Sequence, residues 1–157
     1  EDGVAYHLYA SEENSTLQIS RLTDDYQAPA GAYVRAFPNR YMEAPAICKR
    51  HGKYFFLGSG CTGWAPNAAR SAVADAAFGP WTELGNPCVG AGSEVTFGGQ
   101  STYILPVAGK DDAFIAMFDL WRPENAIDGR YMWLPMRFTD GRFELQYHKA
   151  WDLSIFD

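Results

Sequence analysis

Short runs of apolar and β-branched residues, separated by polar turns that contain glycine, recur along the chain, and helical periodicity is almost absent. Five such runs or pairs of runs predict hairpins or parts of them. They are GVAYHLYA with STLQISRL, APAICKR with KYFFLGSG, NAARSAVADA before Gly79-Pro80-Trp81, STYILPVA with AFIAMFDLW, and RYMWLPMRF with RFELQYH. The segment through Pro29 and Gly31 is predicted to be a loop. The pattern therefore indicates an all-β fold.

A unit in which a turn precedes an aromatic strand appears four times, at irregular spacing, in DGVAYHLYA, HGKYFFLGSG, DDAFIAMFDLW and DGRFELQYH. The four-stranded blades of a β-propeller need about 40–50 residues each. A sandwich of short antiparallel strands fits the pattern nearly as well. No linker or low-complexity segment divides residues 1–157, so one structural unit is predicted. Its start at the turn-like Asp2-Gly3 is typical of a piece of a longer fold.

Composition narrows the functional classes. Aromatic residues make up 15% of the 157 residues, and 15 Gly and 9 Pro accompany them, which favours strands and tight turns. The net charge of −6 and the absence of a Lys or Arg run argue against nucleic acid and anionic membranes as partners. No apolar run is long enough to span a bilayer, and EDGVAYHLYA is not a signal peptide. This composition is compatible with a neutral ligand such as a sugar.

Three cysteines, Cys48, Cys61 and Cys88, are too few for a disulfide framework. A bond between Cys61 and Cys88, both in predicted loops, and three free, mostly buried thiols are about equally compatible with the sequence. No CxxC or Cys/His spacing indicates zinc, and no metal ligands are predicted.

Glu43 stands before Ala44-Pro45 at the start of a predicted strand. Proline fixes its own φ and pushes the preceding residue toward extended geometry. The position therefore suits one end of a sheet, where side chains from several strands converge. From these residues alone, Glu43 is more often a solvated surface carboxylate than a proton donor.

The segment CTGWAPN joins a small-residue turn to an indole and two hydrogen-bonding side chains. Trp64 offers a face that stacks well on the C–H face of a sugar, while Thr62 and Asn67 offer directional polar contacts. The alternative is a connecting loop whose Trp64 closes the core.

Three further segments place polar groups at strand ends. In FGGQSTY, Gln100 either orients a water or sugar hydroxyl or only satisfies neighbouring backbone groups. In DLWRPEN, Asp119 and Trp121 form either a wall of the same site or a salt-bridged turn. In SEEN, Glu13 and Asn14 form a polar turn in which no calcium-loop spacing is visible.

In their order along the chain, several blocks resemble the second half of glycoside hydrolase family 43, and above all its exo-β-1,3-galactanase-like members. The blocks are DGVAYHLYASEEN, EAPAICKRHGKYFFLGSGCTGWAPNAAR, GPWTELGNPC, TFGGQSTYILPV and FDLWRPENAIDGRYMWLPMRF. The resemblance implies a five-bladed β-propeller, and a complete one needs about 250–300 residues. Residues 1–157 would then form a partial catalytic domain of about the last three blades.

The resemblance also implies a reaction: inverting hydrolysis that releases galactose from β-1,3-galactan or related plant polysaccharide side chains. An arabinofuranosidase or xylosidase of the same family, and a non-catalytic glycan-binding propeller, are the alternatives. Glu43 matches the family's general acid. Gln100 matches the glutamine that acts on the water in galactanase-like members, where the usual base aspartate is missing. The aspartate that tunes the acid is expected before residue 1 and is not assigned to Asp2.

Six further residues match positions around the bound sugar by the same resemblance: Glu13, Asn14, Thr62, Trp64, Asp119 and Trp121. The expected partner is an oligo- or polysaccharide, and no cofactor is expected, although calcium occurs in parts of the family. The resemblance implies a secreted or periplasmic protein. It also implies that residues 1–157 alone are inactive, and that upstream blades or another copy of the chain complete the fold.

Overall fold

A computed structural model describes residues 3–157, so the turn predicted at Asp2-Gly3 lies partly outside the described residues. Strands dominate this part of the chain, and the only helical elements within it are three short 3-10 segments, Ser93–Gly98, Ala126–Asp128 and Leu153–Phe156. The strands are β1 Tyr6–Ser11, β2 Thr16–Leu22, β3 Pro29–Ala36, β4 Met42–Arg50, β5 Lys53–Gly60, β6 Arg70–Ala74, β7 Thr82–Gly85, β8 Cys88–Val89, β9 Gln100–Pro106, β10 Phe114–Leu120, β11 Arg130–Thr139 and β12 Arg142–Gln146.

The strands form three sheets, each from a continuous stretch of chain. The first has the order β1-β2-β3, the second β4-β5-β6-β7 and the third β8-β12-β11-β10-β9. Neighbouring strands are antiparallel, except that β8 runs parallel to β12. The all-β, propeller-type prediction is confirmed at the level of several strand-rich sheets. The number of blades stays a prediction.

The second sheet is buried on both faces. Consecutive residues of β5 point to opposite faces of the sheet, so each of the two cores receives every second side chain. Leu57 packs with Phe118 and Leu134 in the core between the second and third sheets. Phe56, its neighbour, packs with Leu17 in the core between the first and second sheets. This explains why KYFFLGSG is a continuous apolar run rather than an alternating one. Full burial of each such side chain stabilises the fold by about 1.5–3 kcal/mol.

Each predicted two-run hairpin forms, but the loop predicted through Pro29 and Gly31 is wrong. These residues belong to β3, an edge strand that pairs with β2 and begins at Pro29. Proline is tolerated at the first residue of an edge strand, where its missing N–H breaks no ladder bond. The turn residues masked a strand whose Val34 packs toward the core.

The three cysteines are free, so the Cys61–Cys88 bond, one of the two sequence alternatives, is not formed. Cys48 and Cys88 lie in the core between the second and third sheets. Cys61 lies half-buried at the end of β5. None of the described residues belongs to a helix long and apolar enough to cross a membrane.

Candidate active site

A β-bulge in β4 sets the position of Glu43. Glu43 lies opposite Ser59, and Ala46 opposite Leu57, so β4 carries one extra residue between the two pairs. Within the bulge, Ala44 has a φ of 52°. Pro45 has no N–H to donate to the ladder, and a bulge bends the strand and redirects its side chains. Glu43 therefore lies near the start of a strand, as predicted, but Ala44 before the proline has a positive φ instead of the extended geometry expected there.

Gln100, the first residue of β9, connects the third sheet to the second. Its Nε2 donates to Glu43 Oε1 at 3.0 Å and to Ser59 Oγ at 2.9 Å. The hydroxyl of Ser101 donates to the carbonyl oxygen of Ala44 at 2.7 Å. The start of β9 is therefore fastened to the bulge that carries Glu43, and the two predicted catalytic side chains are in contact.

Two glycines beside this junction have no room for a side chain. At Gly58, a Cβ atom would lie 2.7 Å from the Phe56 ring and 2.9 Å from the carbonyl oxygen of Glu43. At Gly99, it would lie 2.9 Å from Met132 Cε. All three distances are shorter than real Cβ contacts. A side chain at residue 58 would displace the Glu43 backbone, whereas at residue 99 the flexible end of Met132 would have to move.

Asn67 holds the loop of residues 61–66 against the end of β5. Its Oδ1 accepts from the Gly60 backbone N–H at 2.8 Å, and its Nδ2 donates to the Gly60 carbonyl oxygen at 2.9 Å. Nδ2 also donates to Thr62 Oγ1 at 2.7 Å, while that hydroxyl donates to the carbonyl oxygen of Ala65 at 2.7 Å. The hydrogen bonds of the Thr62 hydroxyl are thus made within the loop.

This loop and the end of the third sheet where β9 begins and β10 ends line a pocket. It is lined by Ser59, Asp119 and Trp121 and by residues 63–67 and 98–100. Asp119 lies directly opposite Gln100 in the β9–β10 pair, which brings a second polar side chain beside the amide. A lining that combines a few polar groups with indole rings is the combination expected of a small-molecule site.

Trp64 and Trp121 form the aromatic part of the pocket. Their ring centroids are 5.1 Å apart and their planes are inclined by 33°. Trp64 is 78% exposed and Trp121 42% exposed, so large parts of both indoles face solvent. Trp64 therefore does not close the core, which was the alternative role considered for it. Exposed indole faces beside polar groups suit a ligand with one apolar and several polar edges.

Cys61 borders Glu43 from the other side. Burial raises the pKa of the Cys61 thiol, and the Glu43 carboxylate, which also accepts its hydrogen bond, raises it further. The Arg70 guanidinium acts in the opposite direction. Because the thiol stays protonated, it is a neutral donor to Glu43 rather than a second anion beside it.

The structure thus brings together five of the eight residues predicted from the sequence: Glu43, Gln100, Trp64, Asp119 and Trp121. Thr62 faces its own loop. Glu13 and Asn14 lie exposed in the β1–β2 turn with φ values of 55° and 66°. No hydrogen bond or ion pair described within residues 3–157 links them to the pocket. The turn is joined to the β4 side by the Tyr41 N–H, which donates to the carbonyl oxygen of Ser15.

Ser59 and Cys61 were not predicted from the sequence. Both lie in the stretch GSGC at the end of β5, where small residues gave no signal of chemistry. Only the register of β4 against β5 places Ser59 beside Glu43. Within residues 3–157, no group of three or more His, Cys, Asp or Glu side chains is arranged to hold a metal ion.

Comparison of the sequence with known proteins gave no matching family model and no curated protein that matches the chain. Comparison of the fold with solved structures gave strong matches. One is a β-1,3-galactosidase of glycoside hydrolase family 43 with galactodeoxynojirimycin, with 51% identity and a TM-score of 0.93. The match covers 98% of this chain and 44% of that protein.

Two exo-β-1,3-galactanases are also similar. The enzyme from Clostridium thermocellum is 35% identical, with a TM-score of 0.84, over 93% of this chain and 32% of its own. The enzyme from Phanerochaete chrysosporium, in a crystal structure with β-1,3-galactotriose, is 33% identical, with a TM-score of 0.82, over 92% of this chain and 33% of its own. The chain therefore spans less than half the length of these relatives. The resemblance inferred from the sequence is confirmed, and the chain belongs to glycoside hydrolase family 43.

Proposed function

We propose that the protein is an inverting glycoside hydrolase that releases galactose from β-1,3-linked galactan or related plant polysaccharide side chains. Glu43 is the general acid that protonates the leaving glycosidic oxygen. Gln100 orients the attacking water. The Trp64–Trp121 pair binds the sugar, and Asp119 hydrogen-bonds it. The observation that carries the proposal is the contact between Glu43 and Gln100 beside a tryptophan-lined pocket.

The chemistry of the relatives' ligands supports the substrate class. One relative is a β-1,3-galactosidase, and another was crystallised with β-1,3-galactotriose. Galactose presents an apolar C–H face and several hydroxyls, which match the indoles and polar groups of the pocket. Because such substrates are extracellular polysaccharides, we also propose a secreted or periplasmic protein, in agreement with the family resemblance.

The Glu43–Gln100 contact restricts which atoms react. In inverting enzymes the acid and the base are about 6.5–9.5 Å apart, which leaves room for a water. Glu43 Oε1 and Gln100 Nε2 are only 3.0 Å apart, so no water fits between them. In our proposal the reacting atoms are the outer ones: Glu43 Oε2 donates the proton, and Gln100 Oε1 accepts a hydrogen bond from the water. The amide orients this water and remains neutral, so the proton that the water loses on attack passes to solvent, and Glu43 is reprotonated from solvent before the next turnover.

The exposed indole pair also favours a second candidate function, a glycan-binding module without catalysis. Two exposed and mutually packed tryptophans bind a sugar whether or not an acid stands beside them. The two functions differ in whether galactose is released.

The deciding experiment incubates the full-length protein with β-1,3-galactotriose and measures free galactose by chromatography. Proton NMR identifies the anomer that forms first, which is α for inversion. Glu43→Gln is expected to lower kcat by about 100-fold or more while calorimetry still detects sugar binding. Asp140→Asn, an exposed change of the same kind in the β11–β12 turn, is the matched control.

Two results contradict the hydrolase proposal: no galactose from the wild-type protein, or unchanged turnover by Glu43→Gln. Binding of the trisaccharide without release, unaffected by Glu43→Gln, supports the glycan-binding module instead.

A further inference from the structure

Ser59 has a place in the site that the proposed reaction does not use. It is buried, with 4% of its surface exposed, yet it is one of the residues that line the pocket. Buried hydroxyls need a hydrogen-bond partner, and this one has the Gln100 amide at 2.9 Å. The hydroxyl therefore contacts the side chain that we propose orients the water.

The two acceptors that hold Gln100 come from facing positions of one strand pair. Glu43 and Ser59 are direct cross-strand partners, so their side chains stand side by side on one face of the sheet. Together they form a fork into which the amide of Gln100 fits. Gly58, where a Cβ would collide with the Glu43 backbone, keeps the two strands close enough for this fork.

The fork uses both N–H groups of the amide. A primary amide has two N–H donors and one carbonyl acceptor. One donor of Gln100 points to Glu43 Oε1 and the other to Ser59 Oγ. The carbonyl oxygen is the only polar atom of the amide left for the pocket. If only one of these two hydrogen bonds were present, the amide could rotate about its last side-chain bond and turn an N–H group toward the pocket.

We propose that Ser59 is a positioning residue that fixes the plane of the Gln100 amide, so that its carbonyl oxygen faces the water or sugar hydroxyl in the pocket. The inference rests on the proposed function for its catalytic consequence, but the amide geometry is independent of it. Ser59 itself touches no reacting atom in this scheme. Its effect passes through Gln100.

The test compares Ser59→Ala with Ser59→Thr, which keeps the hydroxyl, in the full-length protein. The control is Ser71→Ala, since Ser71 is equally buried and its hydroxyl donates to the carbonyl oxygen of Gly85 on β7 at 2.9 Å, away from the pocket. For Ser59→Ala we expect kcat on β-1,3-galactotriose to fall about tenfold, with KM changed less than twofold. Ser59→Thr should restore kcat, and Ser71→Ala should lose comparable stability without losing kcat.

A second readout does not depend on activity. Nitrogen-15 NMR resolves the two side-chain amide protons of Gln100, which are assigned by their disappearance in Gln100→Ala. In Ser59→Ala one of the two resonances should move upfield, as expected for a lost hydrogen bond. In Ser71→Ala both should stay in place. This readout decides the amide geometry even if the protein releases no galactose, so it separates a failure of this inference from a failure of the hydrolase proposal.

The inference is overturned if both Gln100 amide resonances are unchanged in Ser59→Ala. It is also overturned if an active wild-type protein and Ser59→Ala have the same kcat. If Ser59→Thr does not fold, the comparison of Ser59→Ala with Ser71→Ala and the NMR readout still decide between these outcomes.

Discussion

Gln100 and Glu43 are 57 positions apart in the sequence, yet Nε2 of the amide lies 3.0 Å from Oε1 of the carboxylate. Gln100 is the first residue of β9, an edge strand of the third sheet. Glu43 is the second residue of β4, an edge strand of the second sheet. The direction of this hydrogen bond requires a donor at residue 100 and an acceptor at residue 43. The charge and donor capacity of residue 100 therefore control the stability of this junction as well as its chemistry.

Replacing Gln100 by glutamate should make stability depend on pH. Two ionised carboxylates at this distance repel each other and have no donor between them, so the pKa of the new pair is raised. The folded state then binds a proton more tightly than the unfolded chain. Stability is retained below the ordinary glutamate pKa of about 4.3 and lost as the pH rises above it. We expect Gln100→Glu to be destabilised by about 1–3 kcal/mol at pH 7 and by much less at pH 4.

Urea unfolding of Gln100→Glu between pH 4 and 8, always relative to wild type, measures this difference. Gln146→Glu, at the exposed end of β12, introduces the same charge outside the Glu43–Gln100 contact. Its stability difference from wild type should not change with pH. A flat difference for Gln100→Glu as well would contradict the contact between residues 43 and 100.

Removing either exposed indole of the pocket should weaken sugar binding with little effect on folding. Trp64 and Trp121 pack on each other at 5.1 Å and are both largely open to solvent. An aromatic contact of this kind contributes about 0.5–1.5 kcal/mol beyond the buried area. Trp64→Ala and Trp121→Ala should therefore each weaken binding of β-1,3-galactotriose by about 3- to 10-fold, measured by calorimetry. Because the rings touch, the double variant should lose less than the sum of the two losses.

Trp133→Ala is the control for this comparison, since Trp133 is also half-exposed but lies in β11, outside the pocket. It should leave sugar affinity unchanged. Equal affinity of Trp64→Ala, Trp121→Ala and the wild-type protein would remove the indole pair from the binding site.

The sequence was sufficient to predict the hairpins whose turns carry clear signals, such as His51-Gly52 and Asp140-Gly141. At these turns the glycine-containing turn residues separate two apolar runs, and the runs pair as predicted. Glu43 and Gln100 are candidates from the sequence because each lies at or near the start of a strand with distinctive flanking residues, and because whole blocks resemble one family. Their contact was not predictable from the pattern. It depends on which sheets pack side by side.

Other features of the site have no sequence signal at all. Ser59 is important only through its register with Glu43, and a shift by one residue would turn it to the opposite face. Thr62 is predicted to contact sugar from its neighbours and from the family resemblance, and this stays a prediction; its hydroxyl is hydrogen-bonded to Asn67 and Ala65 within the loop. The sequence shows where hydrogen-bonding side chains occur, but it does not show whether each one binds the backbone of its own loop or a ligand. β3 was missed because Pro29 and Gly31, ordinarily turn residues, stand at its first positions.

Thiol titration should distinguish the three cysteines and test the Cys61–Cys88 alternative. Burial raises the pKa of Cys48 and of Cys88 to about 12, so neither forms thiolate at pH 8 in the folded state. Cys61 is half-buried, and its pKa is raised as well. With Ellman's reagent at pH 8 we expect one slow reaction in the native protein, from Cys61, and three equivalents in denaturant. One equivalent in denaturant would indicate a disulfide.

Cys61→Ser is the matched variant and should abolish the native reaction while leaving two equivalents in denaturant. The same pKa shifts predict a loss of stability at high pH. Unfolded thiols ionise near pH 8.5, whereas the folded Cys48 and Cys88 stay protonated up to about 12. Their contribution is fully present below about pH 8.5 and declines as the pH rises beyond it.

The third sheet has an exposed aromatic face, which bears on whether residues 1–157 self-associate in isolation. Ile104, Ala116 and Leu134 point into the core, so their strand neighbours Tyr103 and Trp133 point to the opposite face. Those two residues, with Leu105 and Tyr131, are exposed, and Tyr131 is 78% exposed. A contiguous aromatic face of this kind normally packs against another polypeptide surface.

We therefore expect residues 1–157, purified alone, to self-associate, as size-exclusion chromatography with light scattering would show by a mass that rises with concentration. Replacing Tyr103 and Tyr131 together by glutamine should shift the population toward monomer, because it removes apolar area from the exposed face and leaves the core untouched. Tyr33→Gln, at a tyrosine of the first sheet with 61% exposure, should not change the mass. A wild-type chain that stays monomeric at high concentration and melts cooperatively in circular dichroism would show that this face needs no partner. In that case neither upstream blades nor a second copy of the chain would be required to cover it.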